Sequence, residues 1–335
     1  MRLSAALNTT DHLLPVDCGC LHNGRRRLQS RNIWLFVPAN IAWNVRWALT
    51  FLQCEGRISM LSKEVIRQKI LRFLRMTNLL DIENKVMFGV NIIKNFKSNQ
   101  VFIKEHPDFK FPPYHLAYDA YNHCNYRAYY ESGLEQASYF VKTMRKIKNE
   151  AELAVCEWGC GPARIIQHVK AIDGGLSRII GTDYNAESIA WCKNQFSNVE
   201  FIKNQLEPPL ELADNSIDVL YCFSVFTHLS EEMHYAWIND ISRVLKPGGL
   251  LICSLHGDNL VKKLLPDEAI EYQKGNIVIR CKVKEGSKNF LAFHPDSFVR
   301  NKLLIGFTDI VKPDDSPYVQ TIWYASKPQT TSITT

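Results

Sequence analysis

The ten cysteines of this 335-residue chain lack any repeated spacing and any C-x-x-C pair. This absence argues against a zinc site and against a disulfide framework. Several of the cysteines lie inside apolar, strand-like runs, which is typical of buried free thiols in a reducing compartment. We therefore expect a cytoplasmic protein that holds no metal ion.

A basic patch on the main part of the chain is also missing. The net charge is +6, and residues 1–60 contribute +4 of it, with seven Arg against three acidic residues. The remainder is nearly balanced, whereas a domain that binds nucleic acid carries clustered Lys and Arg. We therefore expect no nucleic-acid partner.

Neither a signal peptide nor an uninterrupted apolar run is evident. The N-terminus has no apolar core followed by a small-residue cleavage site. Residues 33–52 approach the length of a membrane helix, but Pro and polar residues interrupt the run. Its three Trp residues would suit an interface equally well. We expect no membrane span.

Residues 1–59 show no regular pattern and are expected to be poorly ordered or untranslated. Met60 directly precedes SKEVIRQKILRFL, in which apolar residues recur at helical spacing. We hypothesise that translation starts at Met60, and the intact mass of the natively expressed protein tests this. A helical N-terminal region is predicted over residues 60–150. Within it, the helical pattern of residues 116–147 is predicted to break near 130–133.

The pattern changes after residue 150. Short apolar runs such as LAVCEW, RIIGTD and GLLICSL alternate with helix-like segments. This alternation indicates βαβ units and a parallel sheet that is covered by helices on both faces. The sequence thus predicts an α/β domain over residues 151–328 and a disordered tail at 329–335.

The stretch EWGCGPA joins the first of these strands to a helix. Gly159 and Gly161 permit a tight turn without side chains, and Pro162 suits the first turn of the helix. In an open α/β sheet such a turn lets a cofactor lie against the backbone. An ordinary strand-to-helix turn is the alternative explanation of the two glycines.

Asp183 favours the cofactor interpretation. It ends the second apolar strand, where a carboxylate can accept both hydroxyls of a ribose. The alternative for Asp183 is a helix N-cap. The dinucleotide fingerprint G-x-G-x-x-G would require glycine where this chain has Arg164, which disfavours a nicotinamide oxidoreductase.

The pattern E-x-G-x-G-x-A resembles the class I S-adenosylmethionine-dependent methyltransferases, whose motif is an acid, then G-x-G, then commonly a third glycine. Ala163 takes the place of that glycine. The resemblance continues through NVEFIKNQLEPPL, NSIDVLYCFSVFTHLS, SRVLKPGGLLICSL and FTDIVKPDDSPYVQTIWYASKP. It implies a Rossmann-like seven-stranded sheet, parallel except for an antiparallel last strand, and S-adenosylmethionine as the cofactor.

The resemblance also assigns site residues by position. Asn204 or Gln205 stands where the family often has an aspartate beside adenine, and an amide can still hydrogen-bond adenine. The expected cofactor-binding residues are Glu157, Gly159, Cys160, Gly161, Asp183, Tyr184, Asn204, Gln205 and Phe223.

Methyl transfer from a sulfonium depends on in-line positioning and requires no metal. An acceptor hydroxyl or protonated amine also requires a base. His228 in FTHL and His256 in SLHGD follow the fourth and fifth strands and are the predicted bases, although each could instead cap or pack. Asp258 and His294 are poorer candidates.

Two further features bear on the acceptor. The insert 257–294 is expected to roof the acceptor pocket, and its lysines either receive an anionic substrate or form a solvated face. These lysines are Lys262, Lys263, Lys282 and Lys284. A tyrosine cluster either closes over the cofactor or packs helices together. Its members are Tyr114, Tyr118, Tyr121, Tyr126, Tyr129 and Tyr130.

FPPYHLAYDAYNHCNYRAYYESG and SVFTHL resemble a subgroup of these enzymes that acts on small molecules or sugars. A small-molecule or glycan acceptor is therefore expected, with O- or N-methylation favoured over C-methylation. One alternative is a nucleic-acid base methyltransferase, because FPPY resembles [DNS]-P-P-[YF], although Phe111 replaces the polar residue. Another is a module that binds the cofactor without transferring a methyl group.

Overall fold

The computed structural model describes residues 80–314 and 316–329. These residues belong to one compact unit, Ser59–Thr335, and a second unit, Met1–Ile58, lies outside the described residues. The predictions for residues 1–59, for a helix directly after Met60 and for the end of the tail also fall outside the described residues.

Three helices precede the sheet. They are α1 (Leu80–Glu105), α2 (Tyr114–Tyr121) and α3 (Tyr126–Ile147). The chain turns between α2 and α3, where Asn122 adopts a left-handed conformation and the Asn125 side chain caps α3 by accepting from Ala128 N. The predicted break near residues 130–133 is wrong, because α3 runs through this stretch without interruption.

A seven-stranded sheet forms the centre of the domain. Its strands are β1 (Leu153–Trp158), β2 (Leu176–Asp183), β3 (Glu200–Lys203), β4 (Ile217–Cys222), β5 (Leu245–Leu255), β8 (Thr308–Val311) and β9 (Thr321–Ser326). The strand order is β3-β2-β1-β4-β5-β9-β8, and β9 runs antiparallel to both of its neighbours. The predicted Rossmann-like sheet with an antiparallel last strand is confirmed.

Helices cover both faces of this sheet. They include α4 (Ile166–Ile172), α5 (Ala186–Gln195) and α6 (Glu231–Val244). One apolar cluster packs on each face, and β1 and β4 are almost entirely buried. This burial explains the uninterrupted apolar runs in the sequence. Pro162 does not open a helix, because residues 161–165 form turns and α4 begins only at Ile166.

The segment between β5 and β8 carries small elements of its own. It contains a 3₁₀ helix (Asp258–Lys263), α7 (Pro266–Gln273), the two-stranded sheet of β6 (Val278–Arg280) and β7 (Leu291–Phe293), and α8 (Asp296–Phe298) continued by a π-type turn (Val299–Leu303). The strand-like run GNIVIRCKV therefore yields a strand of only three residues. A separate apolar cluster holds this segment together.

No helix in the part of the chain that the structure describes combines the length and the apolar composition needed to cross a bilayer. Residues 33–52 lie outside the described residues.

Candidate functional site

The turn after β1 adopts a backbone that ordinary side chains disfavour. Gly159 (φ 76°), Gly161 (φ 50°) and Ala163 (φ 64°) all lie in the left-handed region. A Cβ atom at Gly159 would come within 2.3 Å of Val225 Cγ2, and one at Gly161 would lie 3.3 Å from the hydroxyl of Tyr121. The two glycines therefore add no side chain to the wall of the neighbouring cavity.

Asp183 joins the end of β2 to that turn. Its Oδ2 accepts from Gly161 N at 2.8 Å and its Oδ1 accepts from Asn185 N at 2.7 Å. Each oxygen keeps a further lone pair for a ligand. Burial raises the pKa of Asp183 to about 6, against the two backbone hydrogen bonds that lower it. The N-cap alternative is wrong, because the side chain of Asn185 caps α5.

A cavity of about 980 Å³, including its open mouth, lies beside the turn at the carboxyl ends of β1, β2 and β4. Of the nine predicted cofactor-binding residues, seven line it: Gly159, Gly161, Asp183, Tyr184, Asn204, Gln205 and Phe223. Glu157 and Cys160 do not. The volume falls within the range of pockets that hold a cofactor and a small substrate.

Glu157 and Cys160 lie behind the cavity wall. Glu157 is 2% exposed, and its Oε2 accepts a hydrogen bond from the Tyr221 hydroxyl at 3.0 Å. Burial raises the pKa of Glu157 to about 8. The Cys160 thiol is buried in the apolar cluster, 3.0 Å from where a Cβ of Gly181 would lie.

Asn204 presents an unsatisfied group to this region. Its backbone N–H donates to the Asp183 carbonyl, and its side-chain amide donates to the Gln205 carbonyl at 2.6 Å. Asn204 Oδ1 is buried and has no hydrogen-bond partner. A buried acceptor without a donor is unfavourable, and a ligand N–H would relieve this cost.

The turn after β4 has an unusual backbone conformation that the sequence does not predict. Ser224 lies in the left-handed region (φ 66°). Its N–H donates to Ser254 Oγ, and its Oγ accepts from the Gln320 amide at 2.8 Å. Thr227 donates to the Ser224 carbonyl at 2.6 Å. No sequence signal marks a serine for this conformation. Contacts from Thr227, from β5 and from the segment before β9 stabilise it.

His228 lines the cavity and His256 does not. His228 Nδ1 lies 2.7 Å from the Phe290 carbonyl, so this nitrogen carries the proton and Nε2 carries a lone pair. Burial lowers the pKa of His228, which keeps the imidazole neutral. His256 Nδ1 likewise donates to the Ala292 carbonyl at 3.0 Å, and burial lowers its pKa to about 3.

The two poorer candidates for the base, Asp258 and His294, form hydrogen bonds away from the cavity. Asp258 accepts a hydrogen bond from the Tyr272 hydroxyl at 2.9 Å. His294 is buried, with its Nε2 2.8 Å from Nε2 of His234. Neither residue lines the cavity.

Part of the insert crosses the cavity. We call residues 285–288 the roof segment. Gly286 N donates to the His228 carbonyl, and the Tyr184 hydroxyl donates to the Gly286 carbonyl, both at 2.9 Å. Because His228 follows β4 and Tyr184 follows β2, the roof segment bridges the two sides of the cavity.

Lys288 is the lysine of the insert that lines the cavity. Its Nζ lies 3.8 Å from the centre of the Tyr118 ring and 3.2 Å from the Tyr118 carbonyl. The lysines singled out by sequence, Lys262, Lys263, Lys282 and Lys284, are not on the cavity wall. Sequence reasoning also missed Asp119 and Ala120, which line the cavity from α2. Nothing in the helical pattern of α2 distinguishes this face.

Among residues 80–314 and 316–329, no group of three or more His, Cys, Asp or Glu side chains is arranged to hold a metal ion.

Residues 156–253 match the family model described as a methyltransferase domain. The chain therefore contains a methyltransferase domain. The protein is accordingly an S-adenosylmethionine-dependent methyltransferase, and S-adenosylmethionine is its cofactor. The residues present fit this methyltransferase cofactor: the glycines of the turn add no side chain to the cavity wall, Asp183 has spare lone pairs, and Asn204 has an unpaired oxygen.

Several solved structures are similar to this methyltransferase. A methyltransferase in complex with the Haloferax volcanii Trm112 activator shares 14% identity over 66% of this chain and 100% of that chain, with a TM-score of 0.42. A Methanosarcina mazei methyltransferase shares 18% identity over 56% of this chain and 98% of that chain (TM-score 0.41). The PH0226 protein of Pyrococcus horikoshii shares 18% identity over 58% of this chain and 90% of that chain (TM-score 0.42).

Proposed function

We propose that this methyltransferase acts on a small-molecule or sugar-type acceptor and transfers the methyl group to oxygen or nitrogen. The single observation that supports this most is the roof segment, which spans the cavity between the residues after β2 and after β4. A cavity covered in this way suits a ligand that can be enclosed. A base flipped out of a nucleic acid would need, besides the pocket, an open path for the strand that carries it.

The position of FPPY supports the same proposal. These residues lead into α2: Pro113 occupies its N-cap position and Tyr114 is its first residue. The turn after β4, next to the glycine turn, reads FSVF. Phe223 and Val225 therefore offer apolar surface where a polar residue would be needed to hold the amine of a flipped base.

The cofactor is proposed to lie along the glycine turn. Bound there, it supplies an electrophilic methyl group on a sulfonium. Asp183 would accept the ribose hydroxyls, and Oδ1 of Asn204 would accept from the adenine amine. Tyr184, Gln205 and Phe223 would enclose the nucleoside, whereas Glu157 and Cys160 would act only behind the wall. Residues 151–328 are proposed as the methyltransferase domain, with the insert 257–294 as its roof.

His228 is proposed as the base that removes the acceptor proton. Its Nε2 carries the lone pair, and the Phe290 carbonyl fixes the tautomer. His228→Asn retains a donor for Phe290 and removes Nε2. We expect kcat to fall about 10²- to 10⁴-fold, which is the usual contribution of a general base, while cofactor affinity stays nearly constant. A kcat within tenfold of wild type would exclude this role. His256 has no contact with the cavity that supports its predicted role.

The acceptor proposal is tested with a methyl-labelled cofactor and a cell extract. Label should appear in the small-molecule fraction and not in nucleic acid or protein. Label in nucleic acid would overturn the proposed acceptor class. Binding of the cofactor, measured by calorimetry, without any label transfer would favour the non-catalytic module.

The cytoplasm remains our proposal for the compartment. Of the seven cysteines in the described part of the chain, six are buried and all are free thiols. Free thiols persist where the surroundings are reducing. Cell fractionation tests this location, and recovery of the protein outside the cytoplasm would contradict it.

A further inference from the structure

Tyr121 forms part of the cavity wall from outside the sheet domain. It is the last residue of α2, and its hydroxyl lies 3.3 Å from the position that a Cβ of Gly161 would occupy. Its ring meets Tyr129 edge to face at 5.4 Å. The side chain therefore lies on the glycine turn, on the side reached from the N-terminal helices.

The hydroxyl of Tyr121 lacks an acceptor for its proton among the residues that the structure describes. Burial raises the pKa of Tyr121 above its ordinary value, and the nearby Arg164 charge only partly offsets this. The hydroxyl thus stays protonated and remains a donor. A ligand oxygen could accept the hydrogen bond that this hydroxyl donates.

Arg164 lies behind Tyr121 and is 7% exposed. Its guanidinium lies 4.5 Å from the centre of the Tyr121 ring, and it donates to Ser132 Oγ at 3.0 Å and to Gln136 Oε1 at 2.7 Å. Its Nε–H is buried without a partner, and no carboxylate in the described part of the chain lies within ion-pair distance. A buried cation without a counter-charge is unfavourable. An anion beside Tyr121 would offset this cost.

We propose that Tyr121, supported by the positive charge of Arg164, binds the carboxylate of the cofactor's methionine moiety. This rests on the proposed function, which places the cofactor along the glycine turn. Gly161 separates the two recognition groups: Asp183 bonds its N–H, and Tyr121 lies on its Cα side. A ribose at Asp183 thus directs the methionine chain past Gly161 towards Tyr121. The carboxylate is the cofactor's one anionic group.

The test compares two ligands on two variants. S-adenosylmethionine and its decarboxylated analogue differ only in the carboxylate, and Tyr121→Phe removes only the hydroxyl. Calorimetry should show S-adenosylmethionine binding to Tyr121→Phe at least about tenfold more weakly than to wild type, as for a hydrogen bond to a charged group. The decarboxylated analogue should bind both proteins within twofold. Tyr130→Phe, the same change outside the cavity, should alter neither affinity.

Arg164 is tested in the same way as a positioning residue. Arg164→Lys keeps a positive charge but loses the planar guanidinium group. It should weaken the binding of S-adenosylmethionine more than the binding of the decarboxylated analogue. Thermal melting identifies a variant that has simply unfolded, in which case Tyr121→Phe alone decides. Equal losses for both ligands in Tyr121→Phe, or no loss for S-adenosylmethionine, would overturn the proposal. A wild-type protein that binds neither ligand would overturn the proposed function instead.

Discussion

Gly159 shows at the residue scale how a sequence motif becomes a shape. Its φ of 76° suits glycine, and Val225 Cγ2 already occupies the space that a Cβ would need. Two separate features therefore require glycine here: the left-handed backbone of residue 159 and the close approach of Val225 from the turn after β4. The first requirement can be deduced from the motif, whereas the second depends on a contact between distant residues.

We therefore predict that Gly159→Ala destabilises the fold by about 1–3 kcal/mol, the usual cost of strain and overpacking, and abolishes measurable cofactor binding. Urea unfolding and calorimetry measure the two effects. Gly174→Ala is the matched control, because nothing lies within 4 Å of the position that its Cβ would occupy. Val225→Ala should recover part of the stability in the double variant, since it removes the clash. No recovery would mean that backbone strain alone accounts for the loss.

The motif positions also mark the limit of sequence reasoning at this scale. Seven of the nine residues expected from the motif positions line the cavity. A position in a motif does not determine the direction of the side chain. Glu157 and Cys160 belong to the motif and point into the interior. His228 and His256 were equivalent by sequence, and only the path of the roof segment and of β7 separates them.

At the element scale, β1, β2, β4 and β5 were predictable because strands buried on both faces give continuous apolar runs. Helix α3 was not, because Gly133 signalled a break where there is none. Helix propensity favours alanine there, but a Cβ at Gly133 would lie 2.2 Å from the Arg164 carbonyl oxygen. The glycine allows α3 to pack closely against the chain after the glycine turn. This close approach cannot be deduced from α3 alone.

Two glycines within helices provide a direct test. Gly133→Ala in α3 should destabilise the protein by about 1–3 kcal/mol, because the added methyl group meets backbone that cannot rotate away. Gly89→Ala in α1 has no atom within 4 Å of the added methyl and should stabilise by about 0.5–1 kcal/mol through helix propensity. Thermal and urea unfolding compare the two. A stabilising Gly133→Ala would show that α3 does not pack this closely.

At the scale of the whole molecule, buried titratable groups determine how stability varies with pH. Burial lowers the pKa of six described histidines: His123, His168, His228, His234, His256 and His294. The pKa is about 4 for His168 and His234 and about 3 for His256. Burial also raises the pKa of Glu157 to about 8 and of Asp183 to about 6. The two sets act with opposite sign.

Below pH 6.5 the unfolded histidines take up protons that the folded ones do not, so acidification destabilises the fold. The two carboxyls oppose this, because they are neutral when folded and ionised when unfolded, but the histidines outnumber them. Above pH 6.5 the histidine effect ends, and Glu157 remains protonated in the fold up to about pH 8. Stability then decreases by up to about 1.4 kcal/mol per pH unit as pH rises, the linkage value for one group.

We therefore predict that the cofactor-free protein is most stable near pH 6.5 to 7, with a steeper loss on the acid side. Thermal unfolding in buffers from pH 5 to pH 7.5 measures this profile. At higher pH the buried cysteines, whose pKa burial also raises, add to the alkaline limb. Glu157→Gln removes the titrating carboxyl while leaving an oxygen that can accept from the Tyr221 hydroxyl, so it should flatten the alkaline limb and leave the acid limb unchanged. If the alkaline limb persists in Glu157→Gln, another group must cause it, and Glu157 would be ionised in the fold at neutral pH.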